Sequence, residues 1–67
     1  MIKFSERLKE LRTEKKLSRQ ELADLMMINL RTISYWELGQ RECNLEQLAK
    51  LAKIFDVTTD YLLGLEY

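Results

Sequence analysis

Residues 17–41 read LSRQELADLMMINLRTISYWELGQR, and two features of this stretch decide the fold. The first is a pair of helix starts. Ser18 is followed three residues later by Glu21, a spacing at which the serine oxygen accepts a backbone N–H and the glutamate reaches back to the serine's own N–H. Leu17 and Leu22 flank this cap as a hydrophobic staple. Asn29 repeats the device, stapled by Ile28 and Ile33. The second feature is the distance between the two starts. Leu22, Ala23, Leu25 and Met26 mark one face of a helix, and only Met27 and Ile28 separate its last position from the next cap. So short a link leaves no room for antiparallel helices and forces a steep crossing, roughly 90–120°. Ala23 is the small residue that such a crossing needs, with Ile33 and Trp36 below it. Gly39 then supplies the left-handed residue that ends the second of these helices.

On the N-terminal side, Phe4, Leu8 and Leu11 recur at i, i+4 and i+7, which predicts a helix over about 5–15. On the C-terminal side, Leu45, Leu48, Ala49, Leu51, Ala52 and Phe55 define the most amphipathic segment. Asn44 starts it, with Gln47 at the reciprocal position and Cys43 and Leu48 as a weaker staple. Thr58, stapled by Val57 and Leu62, starts a short last helix carrying Tyr61, Leu62 and Leu63, which Gly64 closes. Each such cap contributes about 1 kcal/mol, and four in succession share one grammar. The expected fold is all-α, with five helices in a single domain over 1–67.

Composition sets the limits of function. The chain is 46% hydrophobic and 33% charged, a globular rather than a disordered balance. A core of this size is marginal. With one cysteine and no histidine, neither a disulfide nor a zinc site is available to reinforce it. Stability is therefore expected from close helix packing, from a partner subunit, or from both. Cys43 reads as a small apolar residue rather than a redox switch. Without histidine or a glycine-rich phosphate loop, no catalytic residue, metal or cofactor is expected, and the chain is read as a non-enzyme. No stretch approaches the roughly 20 apolar residues that span a bilayer. The start, MIKFSERLKELR, lacks the apolar core of a signal peptide. A cytoplasmic protein with no membrane partner is expected. Net charge is zero, which weighs against a nucleic-acid partner. The sum hides a gradient: residues 1–41 carry nine basic and six acidic residues, a net +3, while residues 42–67 carry two and five, a net −3.

Taken in order, RLKELR, LSRQELADLM, INLRTISYWELGQR, NLEQLAKLAKIFDV and DYLLG make the chain resemble the Cro/repressor-type (XRE-like) helix-turn-helix domains over about residues 4–64. The resemblance implies a compact, lambda-repressor-like domain of five helices, in which helices two and three form the helix-turn-helix. It implies a sequence-specific double-stranded DNA-binding transcriptional regulator of repressor type, which reads the major groove with helix three as a homodimer. Base reading then falls to Leu30, Arg31, Ser34 and Tyr35. Arg31 can span guanine O6 and N7, Leu30 can meet a thymine methyl, and Tyr35 can reach a base edge or a phosphate. Backbone phosphates fall to Ser18, Arg19, Asn29, Thr32, Gln40 and Arg41. Arg12 and Glu37 match an ion pair that joins helix one to helix three in relatives. No small-molecule ligand is implied.

Each role has a plainer alternative. Arg31 can be a solvated charge, Leu30 an exposed or interface residue, and Tyr35 a surface ring. Arg19 can pair with an acid on its own helix, such as Asp24. Leu65 and Tyr67 either make a subunit contact or fold back on helix one, and the two readings stand equal. The chain departs from the family at Arg19, where glutamine is usual, at Lys16 and Met27, where glycine is frequent, and at Cys43, where proline is usual. A left-handed backbone at Met27 would strain a non-glycine residue by about 1 kcal/mol. Two other functions remain in view: a protein–protein module (antitoxin or coactivator-like), which near-zero charge favours, and the DNA-binding fragment of a longer repressor. Steep weakening of binding by salt separates a DNA binder from the protein–protein module.

Overall fold

The apolar spacing translates directly into helices. A computed structural model, which describes residues 3–65, contains α1 (Phe4–Glu14), α2 (Arg19–Met26), α3 (Leu30–Glu37), α4 (Leu45–Phe55) and α5 (Thr59–Leu63), with no strand among the described residues. All four caps read from the sequence are made. Ser18 Oγ accepts the Glu21 N–H at 3.0 Å, and Glu21 Oε1 accepts the Ser18 N–H at 2.8 Å. Asn44 and Gln47 reproduce the arrangement at 2.8 and 2.9 Å. Asn29 Oδ1 accepts the Arg31 N–H at 2.7 Å, and Thr58 Oγ1 accepts the Tyr61 N–H at 3.0 Å. α1 begins one residue earlier than the spacing indicated, at Phe4, after Lys3, whose side chain makes no capping bond.

The connections turn on residues with positive φ. Met27, at φ +59°, closes α2. The N–H of Met27 bonds to the Asp24 carbonyl at 3.1 Å and that of Ile28 to the Ala23 carbonyl at 3.0 Å, so the last carbonyls of α2 are satisfied within the two-residue link. Lys16 and Asp56 adopt the same conformation at φ +57° and +55°; at Asp56 nothing in the sequence signalled it. Gly64, at φ +80°, answers a second demand as well. A Cβ there would overlap the Lys3 side chain, so the end of α5 can abut the start of α1 only through glycine.

The core joins all five helices. Phe4, Leu8 and Leu11 of α1 meet Leu22, Ala23 and Met26 of α2, Ile33 and Trp36 of α3, Leu48, Leu51, Ala52 and Phe55 of α4, and Leu62 of α5. α3 packs on both α1 and α2, and α5 on α1 and α4. Phe4 meets Trp36 edge to face, with ring centroids 6.2 Å apart. Ala23, fully buried, stands where the helix crossing was expected to need a small residue.

Three apolar positions lie outside the core that the periodicity drew. Leu25 is 50% exposed, Leu45 is 83% exposed, and Ala49 is also exposed. On α2 the buried stripe runs from Leu22 to Ala23, about 100° around the axis, and Leu25 falls beyond its edge. On α4, Leu45 occupies the first turn, ahead of the core layer that begins at Leu48, and Ala49 lies about 100° from Leu48. Cys43 is half-buried against the core. Burial pushes its thiol up from the ordinary value; a backbone hydrogen bond opposes this and neighbouring Glu42 adds to it, so it stays protonated at neutral pH. No helix among the described residues is long and apolar enough to cross a membrane.

The strained turn yields a prediction. The Met27 side chain is 85% exposed, so removing it sacrifices little burial. Met27→Gly relieves the left-handed strain and is expected to raise stability by up to about 1 kcal/mol in chemical denaturation. A loss of stability would show that the turn depends on the methionine side chain.

Candidate nucleic-acid interface

α3 has two unlike sides because only one of them is apolar. Ile33 and Trp36 face inward, and Glu37 joins them as the one buried charged residue among those described. The opposite side opens at the first turn. Leu30 is 40% exposed and Arg31 is exposed, while Thr32, Ser34 and Tyr35 are half-buried. The four residues expected to read bases are therefore not equally presented: Leu30 and Arg31 are exposed, Ser34 and Tyr35 only in part. Asn29 and Ser18 are exposed, but each spends its side-chain oxygen on a helix cap. Gln40 and Arg41 are exposed in the loop after α3.

That loop turns back on the helix it leaves. Gly39, at φ +75°, permits the reversal, and the Tyr35 carbonyl accepts the N–H groups of Gln40 at 2.9 Å and Arg41 at 3.4 Å. The Arg41 guanidinium then lies 4.7 Å from the centre of the Tyr35 ring. An expected phosphate ligand and an expected base reader are thus one stacked unit. The spacing of an aromatic residue and an arginine around Gly39 was the available signal for it. A second stack, Arg7 over Tyr61 at 4.2 Å, ties α1 to α5 and commits Arg7 to the fold.

Beneath this surface lies a three-residue ion cluster. The Glu37 side chain is 0% exposed. Its Oε2 accepts from Arg12 Nε at 2.6 Å, and its Oε1 accepts from Arg12 Nη2 and Arg19 Nε, both at 3.1 Å. Arg12 Nη1 donates to the Leu17 carbonyl at 2.8 Å, in the link between α1 and α2. The Arg12–Glu37 pair implied by the resemblance is present as a two-pronged contact. Arg19 was missed as its third member: it was weighed against Asp24, whose carboxylate instead accepts from Gln20 at 2.8 Å. Residues 19 and 37 are remote in sequence, and no local pattern pairs them. With two guanidinium groups on one carboxylate, the cluster carries a net +1 at the start of α2. Among the described residues, no buried side-chain polar atom lacks a partner. At the other end of the chain, Leu65 is 70% exposed, while Tyr67 lies outside the described residues.

A family model described as "Helix-turn-helix" matches residues 8–62. The chain is 40% identical over 63 residues to the HTH-type transcriptional activator BcrR of Enterococcus faecalis, covering 94% of this chain and 31% of that protein. It superposes on the restriction-modification controller protein C.AhdI from Aeromonas hydrophila with a TM-score of 0.80 at 40% identity, covering 90% of this chain and 91% of that one. It also superposes on the DNA-binding domain of the P22 C2 repressor with a TM-score of 0.83 at 32% identity, covering 90% and 79%. The chain spans between 31% and 56% of the length of the curated relatives it matches.

Removing one partner of a buried ion pair leaves the other charge uncompensated. Glu37→Ala strands two arginines and is expected to cost about 3 kcal/mol. Glu46→Ala, at an exposed position, should cost less than about 0.5 kcal/mol. Equal losses in thermal or chemical melting would refute a structural role for the cluster.

Proposed function

Since the chain belongs to the Cro/repressor-type helix-turn-helix family, we propose that it is a sequence-specific double-stranded DNA-binding transcriptional regulator that places α3 in the major groove. The observation that carries this reading is the division of α3: Ile33, Trp36 and Glu37 hold it from within, while Leu30 and Arg31 stand free at its N-terminal turn. In this fold that turn approaches base edges. Arg31 reads a guanine through two hydrogen bonds and Leu30 packs on a thymine methyl. Ser34 and Tyr35, half-buried further along, supply the remaining base contacts. Arg19, Arg41, Gln40, Thr32, Asn29 and Ser18 hold the phosphates and set the register.

The protein acts in the cytoplasm by occupancy rather than catalysis, as a repressor that blocks a promoter, with residues 1–67 serving as one reading unit. So few cations bind one half-site weakly, and a homodimer spanning half-sites about 34 Å apart supplies the missing affinity. The exposure of Leu65 supports a subunit contact at the C-terminal end.

Selection of bound duplexes from a random pool tests this directly. A two-fold symmetric site with one-turn spacing is expected, and no enrichment would reject the reading. Binding should weaken steeply with salt. Arg31→Ala should relax preference at one base pair by about 1–3 kcal/mol, whereas Arg19→Ala should weaken all sequences alike. Unchanged sequence preference in Arg31→Ala would remove that residue from the reading role.

A further inference from the structure

Arg12 alone would satisfy Glu37. It meets both carboxylate oxygens, it spends its remaining nitrogen on the Leu17 carbonyl, and its side chain is only 12% exposed. That pair is neutral and complete. Arg19 adds a second cation that charge balance does not require, and two guanidinium groups on one carboxylate repel each other. It is also used differently. Only its Nε is bonded, its side chain is 40% exposed, and among the described residues no protein acceptor takes its Nη1 or Nη2. A guanidinium is a rigid plane of five donors, so fixing one edge fixes the direction of the others. Arg19 is moreover the first residue of α2, where the helix dipole adds positive potential.

We infer that Glu37 is a positioning residue for DNA as well as an anchor of the fold: by holding Arg19 through Nε, it presents the two terminal nitrogens as a preset fork for one backbone phosphate. This rests on the DNA-binding reading above and assigns Glu37, a buried acid, a part in it. The phosphate supplies the negative charge that the cluster lacks. The arginine has already given up rotamer freedom on folding, so binding need not order it again. A lysine cannot reproduce the fork, because its ammonium keeps the charge but has no planar pair of donors whose direction one bond to Glu37 would fix. The fork recognises backbone, so it raises affinity for every sequence without choosing among them.

The test measures Kd across a salt series, on a duplex carrying the selected site and on an unrelated duplex. The proteins are the unaltered chain, Arg19→Lys, Arg19→Ala, and Glu37→Gln with and without Arg19→Ala, each checked for folding by its melting curve. Arg19→Lys is expected to lose roughly tenfold on both duplexes, close to the loss in Arg19→Ala, although the charge is kept. Arg19→Ala should also lower the salt slope by about one. Glu37→Gln should weaken binding when Arg19 is present and have little further effect in the Arg19→Ala background. Wild-type affinity in Arg19→Lys, or an equal effect of Glu37→Gln in both backgrounds, overturns the inference while leaving the DNA reading intact. If Glu37→Gln does not fold, Arg19→Lys decides alone. No binding by the unaltered chain overturns the reading and this inference together.

Discussion

A carboxylate taken out of water must find compensation inside the protein, and Glu37 finds it on two other helices. Sitting at the end of α3, it draws Arg12 from α1 and Arg19 from α2 to one point, and Arg12 extends the tie to the backbone between those helices. The desolvation cost of such a cluster offsets much of its Coulombic gain, so its net contribution to stability is modest. Its larger effect is on direction. Apolar contacts among leucines tolerate small rotations, whereas three hydrogen bonds to one buried carboxylate do not. The angle at which α3 leaves the core is thereby tied to α1 and α2, and the exposure of Arg31 and Leu30 follows from that angle.

Around this point the domain economises on chain. α2 and α3 have only eight residues each, too short for helices that stand on propensity alone. Side-chain caps start them, left-handed residues end α2 and follow α3, and burial of one narrow stripe on each holds them in place. Close packing of α3 on α2 requires a small residue between them, and Ala23 at zero exposure fills that place. The turn accepts a strained Met27 where glycine would be easier, a local cost offset by the packing on both sides of it.

Charge shows the same separation of roles. The chain is neutral overall, yet its arginines are not interchangeable. Arg12 is spent on Glu37, Arg7 on the Tyr61 ring, and Lys50 on the carbonyl at the end of α2, at 3.5 Å. Arg31 stays exposed, Arg41 is laid over Tyr35, and Arg19 is half committed. On the DNA-binding reading, these three make up a small cationic face on an otherwise balanced surface, so net charge is a poor guide to what this protein binds.

Local rules account for what could be read without coordinates. The caps at Ser18, Asn29, Asn44 and Thr58 depend on side chains within three residues of the backbone groups they satisfy, and the two-residue link between α2 and α3 constrains their crossing by chain length alone. The exposed place of Arg31 on the first turn of α3 follows from its offset to the Asn29 cap, while the reading role assigned to it rests on the resemblance. Contacts between distant positions were not so accessible. The bond from Arg19 to Glu37 spans eighteen residues. The exposure of Leu25 and Leu45 depends on which part of each helix its neighbours cover, and the demand for glycine at position 64 arises from Lys3 across the fold. The sequence by itself determined the five helices, the starts of four of them and their order, because those forces act within a turn or two of chain. Only the tertiary structure decided which arginine is spent inside the fold, which is shared and which is free, because desolvation and charge pairing depend on what the other helices bring alongside.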